Sequence, residues 1–242
     1  MKKLTMRKNF ATKLTLVGTL SVLSLIGTSQ STFAALPQDG KSKATITFTP
    51  GTSPVPPVDP TDPSKPIDPA DPENPTDPPT GNSGPLSLDY VSSVSFGSHE
   101  ISAGNEIYYS TSKKPFIQVS DRRGTGDGWT VTAAASSFKD GEGKDVLKGA
   151  VLTLKNAEVL SNSTSSEKPT PEQQVTLTTD GTQAKIVAAK ENTGLGTWLT
   201  RWFAAQSDLE NKNVTLSVPA GSAIVGNHEA TITWTLSDAP GK

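Results

Sequence analysis

The chain has 242 residues, with 22 Lys and Arg against 24 Asp and Glu, and no cysteine. Without thiols there are no disulfides and no Cys-ligated metal, so the fold must rest on its apolar core. The near-balanced charge, without basic clusters, argues against nucleic acid, where Lys and Arg must neutralise phosphates, and against charge-driven binding to an anionic membrane.

Lys2, Lys3, Arg7, Lys8 and Lys13 open the chain with no acid among them. An apolar stretch over 14–26 follows, then Ser31-Thr32-Phe33-Ala34. Basic, apolar and small-residue segments in that order read as a secretory signal peptide over 1–34, cut after Ala34. The apolar stretch is shorter than the roughly 20 residues that span a bilayer, so no membrane insertion is expected after the signal is removed. Beyond Ala34 there are 17 basic and 24 acidic residues, a net charge of −7 for the exported chain. No C-terminal apolar stretch or Leu-Pro-x-Thr-Gly sorting signal is read. Retention at the cell would therefore be non-covalent.

Residues 35–50 form a short N-terminal β segment by pattern. Ala44, Ile46 and Phe48 alternate with Thr45, Thr47 and Thr49, the period of one strand. One strand alone buries nothing, so a partner is expected, either the later domain or another protein.

Residues 51–84 read as an Asp-Pro-rich linker. Proline recurs at 57, 60, 63, 66, 69, 72, 75 and 78, and Asp59, Asp62, Asp68, Asp71 and Asp77 each precede one. Period three matches polyproline II, and like charges favour extension. At ~3.1 Å per residue, 57–78 would span roughly 68 Å. A plain spacer is preferred to a ligand for a proline-binding module, and the acids lack calcium-loop spacing.

The stretch 85–242 is long enough for a sizeable core. Strands are expected over 86–91, 94–96, 106–110, 116–120, 129–134, 151–154, 157–160, 175–178, 184–188, 214–218 and 230–237. They are short, rich in Thr and Val, and separated by turn residues, which predicts an all-β, Ig-like, Greek-key β-sandwich. Residues 140–143 read as a hairpin turn. Residues 197–209 read as a strand entering a short helix.

Motifs for catalysis are missing. There is no Gly-x-Ser-x-Gly elbow and no phosphate loop. Gly124-Thr125-Gly126-Asp127-Gly128 leads into a strand, not a helix, and reads as a turn. His99 and His228 have no ligand spacing. No pair of carboxylates is singled out for glycoside hydrolysis. No enzyme, metal or cofactor is expected. The tryptophans say more. Trp129, Val131 and Ala133 share one face of a strand; so do Ile232, Trp234 and Leu236. Each tryptophan is either a core residue or part of a ligand-stacking groove, and alternation alone favours the core.

The chain resembles the WxL-domain surface proteins of Gram-positive bacteria, as a small member. The distal motif runs from Ala230 through Thr233-Trp234-Thr235-Leu236 to Pro240. The proximal motif runs from Val119 through Gly128-Trp129-Thr130-Val131. Gly196-Thr197-Trp198 and the Val214–Pro219 stretch support the match. Two positions depart from the family pattern: Val131 stands in place of the usual leucine, and His228 in place of an aromatic. The resemblance implies non-covalent binding to peptidoglycan or another cell-wall polymer at the cell surface. It also implies companion wall proteins, usually membrane-anchored. Trp129, Thr130, Val131, Trp234, Thr235 and Leu236 become the binding or motif-core candidates. The alternative is a protein-interaction subunit of a surface complex, docking on a companion wall protein or on a host component.

Overall fold

The computed structural model describes residues 39–164 and 166–239. The signal peptide read over 1–34 lies outside the described residues. The chain divides into one unit ending at Ile46 and a second from Thr47 onward. The strand expected over 44–49 is not formed. Ile46 and Phe48 are 77% and 82% exposed among the described residues, and a strand without a pairing partner has no source of stability.

Fourteen strands follow, with no helix among the described residues. They are β1 (Leu86–Val91), β2 (Glu106–Ser110), β3 (Phe116–Asp121), β4 (Trp129–Ala135), β5 (Phe138–Lys139), β6 (Asp145–Val146) and β7 (Val151–Lys155). Then come β8 (Glu158–Leu160), β9 (Thr170–Pro171), β10 (Gln174–Thr178), β11 (Ala184–Ala189), β12 (Gly196–Arg201), β13 (Asn211–Val218) and β14 (Ile232–Ser237). Three antiparallel sheets result, in the orders β1-β3-β12-β8, β10-β7-β13-β2 and β14-β4-β11-β9. The hairpin β5-β6 turns at Asp140, whose backbone N–H and C=O bond to Lys144 and Gly143.

Period-two alternation builds the core. In β4, Trp129, Val131, Ala133 and Ala135 are buried while Thr130, Thr132 and Ala134 are partly exposed. They pack with Leu88, Ile117, Val119, Leu152, Leu177, Ile186, Trp198 and Val214, so all three large sheets share one apolar cluster.

Two further expected elements differ. Residues 94–96 form no strand, although Val94 and Phe96 still pack on the core. The short helix expected after Trp198 is also absent. Trp202 N–H donates to Pro115 C=O at 3.0 Å, Ala204 N–H donates to Lys113 C=O, and Asn211 Nδ2 donates to Trp202 C=O at 2.7 Å. Neighbouring segments thus take up the backbone groups that a helix would use internally.

The Asp-Pro segment departs most from expectation. It is folded onto the sheet β1-β3-β12-β8. Each of four Asp-Pro steps closes a turn: Asp59, Asp62, Asp68 and Asp71 accept, through Oδ1, the N–H two residues on, at 2.7, 3.3, 2.8 and 2.9 Å. Asp at the first turn position and Pro at the second is turn chemistry, and it displaces the polyproline reading. Lys65 and Ser64 hydrogen-bond the Asp62 carboxyl and hold it down at about 2. The strap is fastened along its length. Gly51 N–H donates to Arg122 C=O, Val58 N–H to Gln118 Oε1 and Arg201 Nη1 to Pro60 C=O, while Lys114 pairs with Asp71 at 2.7 Å. Val58 and Ile67 lie on Tyr90, Phe116 and Leu199. Every residue of β3 is therefore buried, with the core on one face and the strap on the other.

Candidate functional site

The two tryptophan motifs lie side by side. β14 pairs antiparallel with β4, placing Leu236 opposite Val131 and Trp234 opposite Ala133. They differ in exposure. Trp129 and Val131 are fully buried. Trp234 and Leu236 are half-buried on an edge strand, and Thr235 is exposed. Thr130 is half-buried, and its hydroxyl donates to Ala239 C=O at 3.1 Å.

Trp129 is held by its loop. Its indole N–H donates to Gly194 C=O at 3.1 Å. Gly194 has φ +72°, and a Cβ there would stand 2.9 Å from Trp129 Nε1 and 2.6 Å from Ala189 Cβ. Gly128, with φ +75°, would push a Cβ to 2.5 Å from Ala189 C=O. Both positions thus need glycine, for conformation and for space. Arg123 clamps the same loop. Its Nε and Nη2 fork onto Asp121 at 3.0 and 2.7 Å, and Nη2 also reaches Gly128 C=O at 2.6 Å. The 124–128 run is a loop into β4, as its sequence suggests.

Trp234 has a neighbour that sequence reasoning left out of the site. Trp202 is buried 6.0 Å away, ring to ring, tilted by 38°. Together with Val94, Pro115, Ile117 and Ile232 the two rings line a narrow apolar cleft. The Trp202 indole N–H is buried without a partner among the described residues. Trp198 and Trp202 stand four residues apart, a spacing that fits one shared face, yet their rings go to different places. Trp198 instead donates its N–H to Leu195 C=O at 2.9 Å. His228 lies in the loop before β14 with Nε2 2.9 Å from Ile224 C=O.

No group of three metal-ligating side chains occurs among the described residues. Among the described residues no helix is long and apolar enough to cross a membrane.

Two tryptophan-bearing strands, paired at the edge of an antiparallel sheet with threonines turned outward, define a β-rich surface module. The chain matches the family described as WxL domain, surface cell wall-binding, over residues 35–240, and it belongs to that family. No curated protein and no solved structure matches the chain. The match begins well before β1 and takes in the whole strap, so the family signature covers the layer as well as the sheets beneath it. Membership assigns the chain to the cell surface, with a cell-wall polymer as the partner its family binds.

Proposed function

We propose that the chain is exported through residues 1–34 and held on peptidoglycan, without a covalent link, by the half-exposed row of β14. In this reading the antiparallel layers form an Ig-like, Greek-key β-sandwich. The observation that carries the proposal is the unequal burial of the two motifs: Trp129 is sealed in the core, while Trp234 and Leu236 keep part of their surface open. The proximal motif then has a positioning role, fixing β4 so that β14 can pair on it. The distal motif supplies an aromatic face suited to stacking on a sugar ring, with Thr233 and Thr235 exposed as hydroxyl donors and acceptors on the opposite side of the strand.

Sedimentation with cell walls stripped of protein tests this, run beside thermal melting. Trp234→Ala is expected to lower the wall-bound fraction several-fold while costing less stability than Trp129→Ala, because Trp234 is only half-buried. Trp129→Ala is expected to cost about 3–5 kcal/mol of stability. Binding of Trp234→Ala at the wild-type level would remove the distal motif from the interface.

A further inference from the structure

The chain contains two hexapeptides that differ at one position only, Phe48 in the first and Trp234 in the second. Residues 44–49 read Ala-Thr-Ile-Thr-Phe-Thr, and residues 230–235 read Ala-Thr-Ile-Thr-Trp-Thr. The fold uses the second copy, while the first pairs with no strand among the described residues. In β14, Ile232 and Trp234 face the core and Thr233 and Thr235 face out. In 44–49 no strand forms, and Ile46 and Phe48 are 77% and 82% exposed.

β14 is itself incomplete as a sheet element. It pairs with β4 on one side and ends its sheet on the other, where no strand pairs with it among the described residues. An open edge offers a row of backbone donors and acceptors to any strand of matching pattern. The repeat supplies that match. With the two copies antiparallel, Ile46 falls opposite Trp234 and Phe48 opposite Ile232. Thr45, Thr47 and Thr49 fall opposite Thr235, Thr233 and Thr231. Aromatic–β-branched and Thr–Thr pairs are among those that stabilise a ladder.

The strap limits which register the chain's own segment can reach. Gly51 N–H is bonded to Arg122 C=O, and the next residue, Arg123, reaches Gly128, just before the end of β4 that pairs with Ser237. The antiparallel register needs Thr49 beside Thr231, at the opposite end of β14 from Ser237, about 20 Å along the strand at ~3.4 Å per residue. Two residues from Gly51 to Thr49 reach only about 7 Å. The strap therefore denies this register to the chain's own segment.

We propose that residues 44–49 of one copy add to the open edge of β14 in a second copy, antiparallel, as a fifth strand of the sheet β14-β4-β11-β9. Phe48 then lengthens the half-exposed apolar row of Trp234 and Leu236, and the protein self-associates through its amino-terminal segment.

The chain has no cysteine, so introduced ones report without background. Chains of residues 35–242 carrying Thr47→Cys are mixed with chains carrying Thr233→Cys and coupled with a short bismaleimide. The expected result is a mixed dimer several-fold above that from Thr47→Cys with Thr182→Cys, an exposed position on another loop. Adding Phe48→Asn to the Thr47→Cys chain should abolish the excess while leaving the melting temperature unchanged, because Phe48 is exposed in the single chain. The proposal is overturned by a yield equal to the control, or by an excess that survives Phe48→Asn. Coupling at high dilution within one chain carrying both cysteines, or coupling that appears only on adding a wall extract, also overturns it, in favour of the chain's own segment or of a companion protein.

Discussion

Asp89 turns its carboxylate away from the core and under the strap. Ser87 donates to Oδ1 at 2.5 Å; Gln118 and Ser120 donate to Oδ2 at 3.0 and 2.6 Å. Burial nevertheless pushes its carboxyl above the ordinary 3.8, against the pull of those donors and of Arg122. An acid whose pKa rises on folding stabilises the native chain where it is protonated, below 3.8, and that contribution is lost as pH climbs through the raised native value. Asp89→Asn removes this titration. The melting temperature of wild type minus that of Asp89→Asn should therefore be largest in acid and decline toward neutrality, followed from about pH 3 to about pH 7. A difference that grows with pH would mean that the three donors outweigh burial.

The strap is the element that most changes how the chain reads. Gln118 is its latch, donating to Pro56 C=O at 3.1 Å and accepting from Val58 N–H at 2.9 Å. Gln118→Leu leaves Val58 N–H unpaired and takes one donor from Asp89, a cost of about 1–3 kcal/mol for each buried group left unsatisfied. Amide exchange at Val58 and Ile67 is expected to quicken several-fold, with little change along β13, as read by hydrogen–deuterium exchange. The strands themselves were legible because one face of each is buried and the other is not; β4 and β14 follow the alternation residue by residue. The strap was not, because period-three proline fits both polyproline II and a series of Asp-Pro turns. Only the sheet beneath, with Phe116 and Gln118 pointing outward from β3, selects the turns. Trp202 escaped for a related reason. Its place beside Trp234 depends on Pro115, which is distant in sequence. Likewise, no period could reveal that the proximal motif is sealed and the distal one open, since that depends on which strand ends the sheet.

At the scale of the whole molecule, charge and contact chemistry point in opposite directions, and that makes them separable. Residues 35–242 carry net charge −7, so long-range fields repel anionic polymers. Some acids are committed internally: Asp71 and Glu73 to Lys114, Asp121 to Arg123, Glu158 to Arg201. Several cations are thereby spent as well, which leaves fewer for an outside partner. A module that holds the wall through Trp234, Leu236 and neighbouring hydroxyls gains its affinity from stacking and hydrogen bonds, which salt screens little. The repulsion, by contrast, is screened once the Debye length shrinks from about 30 Å at 0.01 M to about 3 Å at 1 M. Wall-bound protein should therefore stay constant or rise as salt is raised, measured by sedimentation across that range. A cation-driven interface would release the protein over the same range, and that loss would shift the binding surface from β14 to the remaining Lys and Arg side chains.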